Sequence, residues 1–440
     1  MRIFIKNNEI IINSKIIIIL IVLVLVGIAG YLKYDAGKPV VLKVAVHSGN
    51  SWSVPQKHAY AIYDEAVKLF EKKYRNVKVE LKTGRLIQHY SEWFAQQVLK
   101  GEEADVFLVL EEDFNTYASI GLFENLTPYI EKDRDFNIEE FYPESLHTGQ
   151  YYGNQYTLPF ELAPSFMVVN KTLLEQEGIH IDPDEWTWDS FYRICKDVTK
   201  DIDNNGYLDQ FGVYGYDWEH AFYTNDYSLF TQGGKSIAFN DDRLFETIEF
   251  MKRMYELNKG IVVREEFFAK GQVAFKIFTL PEYRAYGSYP YRIIKYKEFE
   301  WEAIPFPSGP NGRSSSKLYA VQIGMSSRSE NKKMAYELIK HLTNNREVQC
   351  KIWDYTYTLP ANKEVVRDIY DSNTEEIQDK VIDADFLNNA IKHSYMEPNF
   401  KLYSHLKKLM DQKIFQIIAQ DLDTREGIKE IREEIENIIY

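Results

Sequence analysis

Val41-Leu-Lys-Val-Ala-Val46 and Ala104-Asp-Val-Phe-Leu-Val-Leu110 are two apolar, β-branched runs about sixty residues apart. What lies between them decides the fold. Pro55 opens a segment whose apolar residues fall at Ala59, Ile62, Tyr63, Ala66, Val67, Phe70 and Tyr74. These 3-and-4 spacings describe one face of a helix with proline in its first turn. Val77 to Leu81 reads as a second strand, and Tyr90 to Leu99 as a second amphipathic helix. Strand, helix, strand, helix, strand in such a short stretch predicts a parallel, doubly wound α/β sheet covered on both faces. In that architecture ligands bind beyond the carboxyl ends of the strands. Here those ends are His47-Ser-Gly-Asn-Ser-Trp52 and Glu111-Glu-Asp-Phe114. The three carboxylates from Glu111 to Asp113 read equally as a ligand contact or as a solvated turn that caps the next helix.

The 440 residues are too many for one core, and two to three domains are expected. A chain with 45% hydrophobic and 27% charged residues is globular, not disordered or polytopic. Its net charge of −14 repels phosphate backbones and argues against a nucleic-acid partner. Aromatic residues reach 15%, with 32 Tyr and 7 Trp that join an apolar ring to a polar atom.

Ile16 to Leu32 is an uncharged run preceded by Arg2, Lys6 and Lys15 against Glu9. It reaches roughly 26 Å as a helix, marginal for a membrane span. The charge order sends everything after Lys33 outside the cell. Residues 1–38 therefore read as a signal peptide or an uncleaved membrane anchor, with Gly27-Ile28-Ala29 as the small-residue cleavage candidate. No cysteine precedes Cys195, which excludes a lipoprotein anchor. Cys195 and Cys350 are the only two, read as buried thiols, though the sequence leaves a pairing open.

Asp189 or Thr187 caps a helix that runs to about Thr199. Pro305 to Gly312 is the clearest loop, and the chain beyond Asn331 is almost wholly helical. Catalytic signatures are missing: no G-x-S-x-G, H-E-x-x-H, G-x-G-x-x-G or C-x-x-C occurs. Gly234-Lys235-Ser236 imitates the end of a phosphate loop but has Leu229 where that loop needs glycine. Among so many acidic residues no one carboxylate pair identifies a glycosidase. One motif carries a mechanism. Asp201, Asp203, Asn205, Tyr207 and Asp209, with Gly206 at the sharp turn, follow the spacing of a calcium loop. Gly212 stands where that loop brings its bidentate Glu, so the alternative is a plain Asp/Asn/Gly turn.

Several segments, in order, resemble the extracellular solute-binding proteins of bacterial ABC importers, in their sugar-binding, maltose-binding-like group. They begin with Ala104-Asp-Val-Phe and Gly121-Leu-Phe-Glu-Asn-Leu-Thr-Pro-Tyr-Ile130. Tyr152-Gly-Asn-Gln-Tyr-Thr-Leu-Pro-Phe160 with Val168-Val-Asn-Lys171, Trp186-Thr-Trp-Asp-Ser-Phe191 and Gln232-Gly-Gly234 follow. Phe268 to Phe275, Ile304-Pro-Phe-Pro307, Asn331 to Thr343 and Leu359-Pro-Ala-Asn362 complete a match over nearly all of residues 40–365. The resemblance implies a two-lobed, type II periplasmic-binding-protein-like fold, each lobe a sheet flanked by helices. Lobe 1 is then 39–156 plus 281–325, and lobe 2 is 157–280 plus 326–440. It also implies a monomer that closes on an extracellular carbohydrate and hands it to permease subunits without altering it. A tethered sugar receptor for a sensor kinase is the alternative, and a carbohydrate-active enzyme the more distant one. Carried onto this chain, the family pattern places Ser51, Trp52, Glu111, Glu161, Trp218, Gly233, Glu282 and Tyr319 near the cleft. Trp353 and Tyr355 join them as candidate stacking residues. Such rings and carboxylates suit the apolar face and hydroxyl rim of a sugar.

Overall fold

The computed structural model describes residues 2–5, 8–11, 20–23, 39–49, 51–52, 54–55, 61–228, 230, 241–287, 290–372 and 382–439. The opening unit forms as its periodicity predicts. Strand β1 is Val40–Ala45, helix α1 Ala61–Lys73, β2 Val77–Lys82, α2 Ile87–Lys100, β3 Val106–Val109 and α3 Glu111–Ser119. β1 pairs in parallel with β2 on one side and β3 on the other. α1 buries Ile62, Tyr63, Ala66 and Phe70, the 3-and-4 stripe read from sequence.

Beyond β3 the sheet stops being purely parallel. The remaining strands are β4 Thr157–Asn170, β5 Phe211–Tyr214, β6 Val273–Thr279, β7 Trp301–Ile304, β8 Ser316–Met325, β9 Leu359–Pro360 and β10 Ser394–Tyr395. They give the order β2-β1-β3-β8-β4-β6-β5, with β7 and β9 also on β4 and β10 on β8. β8 is antiparallel to both β3 and β4. The reason is topological: the chain leaves the first half along β4 and comes back along β8, so the two must run in opposite directions.

β4 is buried along all 14 of its residues, and that burial shows how the halves connect. Its first part, Thr157 to Pro164, pairs with β8. Its second part, from Ser165 on, pairs with β6 and β7. One continuous strand thus serves two cores. The helices that complete them are α4 Trp188–Val198, α5 Trp218–Thr224, α6 Asp241–Leu257, α7 Leu280–Gly287, α8 Lys332–Asn344, α9 Arg346–Tyr355, α10 Ala384–Lys392, α11 Tyr403–Ala419 and α12 Thr424–Ile439. Thr187, not Asp189, caps α4, exchanging hydrogen bonds with Ser190.

The first core gathers Phe70, Phe94, Phe107, Phe160, Leu338 and Ile352. The second gathers Phe191, Phe222, Phe275, Leu406, Ile414 and Ile431. The cores do not follow the expected bounds of the lobes, since Phe211, Phe268, Val273 and Phe278 also join the first. α8 and α9 lie in the first core through Leu338, Ile339, Val348 and Ile352. The first part of β4 also belongs there, although 157–280 was assigned to the other lobe. α11 and α12 do join the second core.

Cys195, in the second core, and Cys350, on α9, are free thiols. Residues Arg2–Ile5 and Asn8–Ile11 pair as an antiparallel hairpin, and Leu20 to Leu23 are helical. Most of the expected Ile16–Leu32 helix lies outside the described residues. Among the described residues no helix is long and apolar enough to cross a membrane.

Candidate functional site

The loop after β1 and the crossing strand β4 meet at one hydrogen bond. Trp52 Nε1 donates to Glu161 Oε2 at 3.3 Å, and Thr358 Oγ1 donates to the same oxygen at 3.0 Å. Glu161 is 5% exposed and sits opposite Val321 in the ladder with β8. Burial penalises its charged form and pushes its pKa up to about 7, and the two donors only partly offset that. Tyr63, fully buried, is raised well above the ordinary tyrosine value by burial first and by Glu161 second. The Trp52 ring meets Tyr319 edge-on at 6.3 Å between centroids. Ser51 Oγ lies 3.2 Å from His47 Nε2, which ties the loop back to the end of β1. Burial lowers the His47 pKa, so that ring favours its neutral form.

Alternation along β8 splits the neighbourhood in two. Tyr319 and Val321 face Trp52 and Glu161, whereas Leu318, Ala320 and Gln322 face a cavity of about 300 Å³ between α3 and α11. Lys317, at the start of β8, joins the sides. Its ammonium lies 4.9 Å from the Tyr319 ring centre and 3.0 Å from Glu111 Oε1. Glu111 is the first residue of α3, where the helix dipole favours an anion, and it lines the cavity. No side chain caps α3, and Asp113 in the same turn accepts from Ser91 Oγ at 2.8 Å instead. Trp218 reaches the far wall through Nε1, which donates to Asp411 Oδ1 at 2.9 Å. A second cavity of about 300 Å³ is lined by Phe166, Phe306, Phe386 and Ala390 and by no carboxylate or ammonium. The convergent polar groups therefore favour the first.

Ser51, Trp52, Glu161 and Tyr319 thus come together on one side of β8, with Glu111 and Trp218 on the other. Glu282 does not join them. Its carboxylate accepts from the Thr279 backbone at the start of α7 and pairs with Lys276 at 3.2 Å. Trp353 fails as a stacking platform because the Arg284 guanidinium already covers its ring at 3.5 Å. Tyr355 donates its hydroxyl to Glu65 at 2.9 Å on the α1–α9 surface. Gly233 lies outside the described residues. Sequence reading missed Thr358, Lys317, Glu397, Lys407 and Asp411. Lys317 stood two residues from the flagged Tyr319, but nothing in the pattern of the last seventy residues singled out Glu397, Lys407 or Asp411.

Carboxylate oxygens of Asp201, Asp203 and Asp209 lie within 4.8 Å of one another. The loop is closed by hydrogen bonds of its own. Asp201 accepts from the Asn205 and Gly206 amides at 3.1 and 2.7 Å, and Asp209 from the Ile202 amide at 2.9 Å. Asn205 Oδ1 accepts from the Tyr207 amide at 2.8 Å. Gly212 cannot be exchanged for the missing Glu, because a Cβ there would stand 2.4 Å from Cys195 Cβ. The three aspartates could hold a hard cation only with solvent in the remaining positions.

The family model described as bacterial extracellular solute-binding protein matches residues 55–349. The chain belongs to this family. Solved structures of similar fold agree. An ABC substrate-binding protein of Listeria monocytogenes, in complex with cycloalternan, shares 19% identity at a TM-score of 0.70, over 91% of this chain and 99% of that one. The sugar-binding protein MalE of Xanthomonas citri shares 16% at 0.72, over 91% and 97%. Maltose-bound MalE3 of T. maritima shares 17% at 0.66, over 91% and 100%. At such identities the likeness shows the fold alone. In this solute-binding chain two cores share one crossing strand, and Glu111 and Lys317 meet residues of α11 across the cavity beside β8.

Proposed function

We propose that the protein binds an uncharged carbohydrate, an oligosaccharide above all, between its lobes and delivers it unchanged to an ABC permease. The observation that carries this reading is the hydrogen bond between the Trp52 indole, in the loop after β1, and the buried Glu161 carboxylate on the crossing strand β4. An aromatic ring face and a carboxylate side by side match the apolar face and hydroxyl rim of a pyranose. The sugars named with the Listeria and T. maritima proteins point the same way. Closure of the lobes around the ligand is the expected motion. The protein acts as a monomer at the outer face of the membrane, held there or exported by residues 1–38. A thermal-shift screen across mono- and oligosaccharides tests the reading. A binder at about 100 times its Kd stabilises by about 2.7 kcal/mol. Failure of every neutral sugar to raise Tm, or recovery of a cleaved glycan, would refute it.

Calcium at Asp201, Asp203 and Asp209 is proposed as a structural ion of the loop after α4. Adding millimolar calcium to chelated protein is expected to raise Tm and give a stoichiometric isotherm. Asp203→Asn should weaken both, and no heat with no shift would remove the ion from the account.

A further inference from the structure

The charged side chains between the two lobes form one unbroken series. Glu111 Oε1 lies 3.0 Å from Lys317 Nζ, and the same ammonium lies 3.1 Å from Glu397 Oε1. Glu397 Oε1 lies 3.0 Å from Lys407 Nζ, which pairs at its other side with Glu219 Oε1 at 2.7 Å. The charges alternate, so each ammonium has two carboxylates and the central carboxylate has two ammoniums. The ends belong to different cores. Glu111 sits on α3, whose Phe114 is in the first core, and Glu219 on α5, whose Phe222 is in the second. Lys407 is on α11 of the second core, while Glu397 lies in the connection that runs from α10 to α11.

Four members of the series are shielded and one end is open to solvent. The side chains of Lys317, Glu397, Lys407 and Glu219 are 12, 17, 23 and 14% exposed, and that of Glu111 is 44% exposed. Exposed pairs contribute little, but a buried charge stripped of its partner is strongly unfavourable. Burial alone would weaken the Lys317 ammonium, yet Glu111 and Glu397 outweigh it and hold its pKa well above the ordinary lysine value. Separating the lobes here must expose the series to water or leave a charge alone.

We propose that the series Glu111–Lys317–Glu397–Lys407–Glu219 is a tie between the lobes that sets how far the cleft is closed before any ligand arrives. Lys317 and Lys407 are then positioning residues. They govern affinity through the fraction of molecules already competent to bind, since an apparent Kd scales inversely with that fraction. The inference goes beyond the carbohydrate reading, and its test needs no sugar. Small-angle scattering of the ligand-free full chain compares wild type with Lys407→Met, Lys407→Arg and the double variant Glu397→Gln/Lys407→Met. Lys407→Met is expected to increase the radius of gyration, and Lys407→Arg to keep the wild-type value. The double variant removes opposite charges together, so it covers the case in which Lys407→Met does not fold, and it too should open. Native circular dichroism with unchanged scattering in Lys407→Met or the double variant overturns the tie. A neutral-sugar screen with no binder would count against the proposed function and leave this result standing.

Discussion

Glu161→Gln is expected to make the protein more stable at pH 8 and worse at binding its ligand. The two effects have one cause. The Glu161 carboxyl is buried, with Trp52 and Thr358 as its hydrogen-bond donors, and its pKa is pushed up to about 7 by burial. A folded-state pKa above the unfolded one means that the fold favours the protonated carboxyl. Its contribution is therefore fully present below the ordinary glutamate value of 4.5 and is lost as pH rises through about 7. The loss amounts to about 3 kcal/mol by pH 8. Gln keeps an acceptor for both donors and has no charge to bury, so it escapes that loss. Chemical denaturation of both proteins from pH 4 to 8 should show a stability difference that grows between 4.5 and 7 and levels off above it. Ligand affinity should fall by about 1–3 kcal/mol, the cost of exchanging a charged acceptor for a neutral one. A pH-independent difference would mean that Glu161 titrates normally, and an unchanged affinity would remove it from the binding site.

The fold was legible because its signal is local. The stripe from Ile62 to Phe70 and the apolar runs at 41–46 and 104–110 each report their own element, and all three formed. The crossing strand β4 was only half legible. Residues 157–170 are apolar enough to read as a buried strand, but nothing in their pattern says that Pro164 pairs with one half of the protein and Ser165 with the other. The core that takes α8 and α9 was illegible for the same reason. An amphipathic helix declares that it has a buried face, not which core will cover it. Site residues divide in the same way. Trp52 follows β1, a strand end legible in the sequence, whereas its contact with Glu161, inside β4, depends on the fold. Trp353 looks identical in sequence to a stacking tryptophan, yet Arg284, 69 residues away, occupies its face. Lys317, Glu397 and Lys407 are ordinary charges until the fold sets them in a row.

Trp52 separates what a ring does from what a donor does. Trp52→Ala removes both and is expected to weaken ligand binding by about 1–3 kcal/mol, up to roughly a hundredfold in Kd. Trp52→Phe keeps an aromatic face against Tyr319 but deletes the N–H that donates to Glu161. With only Thr358 left as donor, the Glu161 carboxylate becomes costlier to keep charged, and its pKa should move further up. Phe should thus retain much of the affinity lost in Ala, while its stability, falling from pH 4.5 as in wild type, goes on falling to a higher pH before it levels off. Calorimetry with whichever sugar the screen identifies, alongside denaturation at several pH values, reads the two effects separately. Equal affinity in all three proteins would mean that the ligand never meets this ring. A Phe variant as weak as Ala would shift the weight from the ring face to the hydrogen bond, so that the indole serves mainly to hold Glu161 in its charged, accepting form.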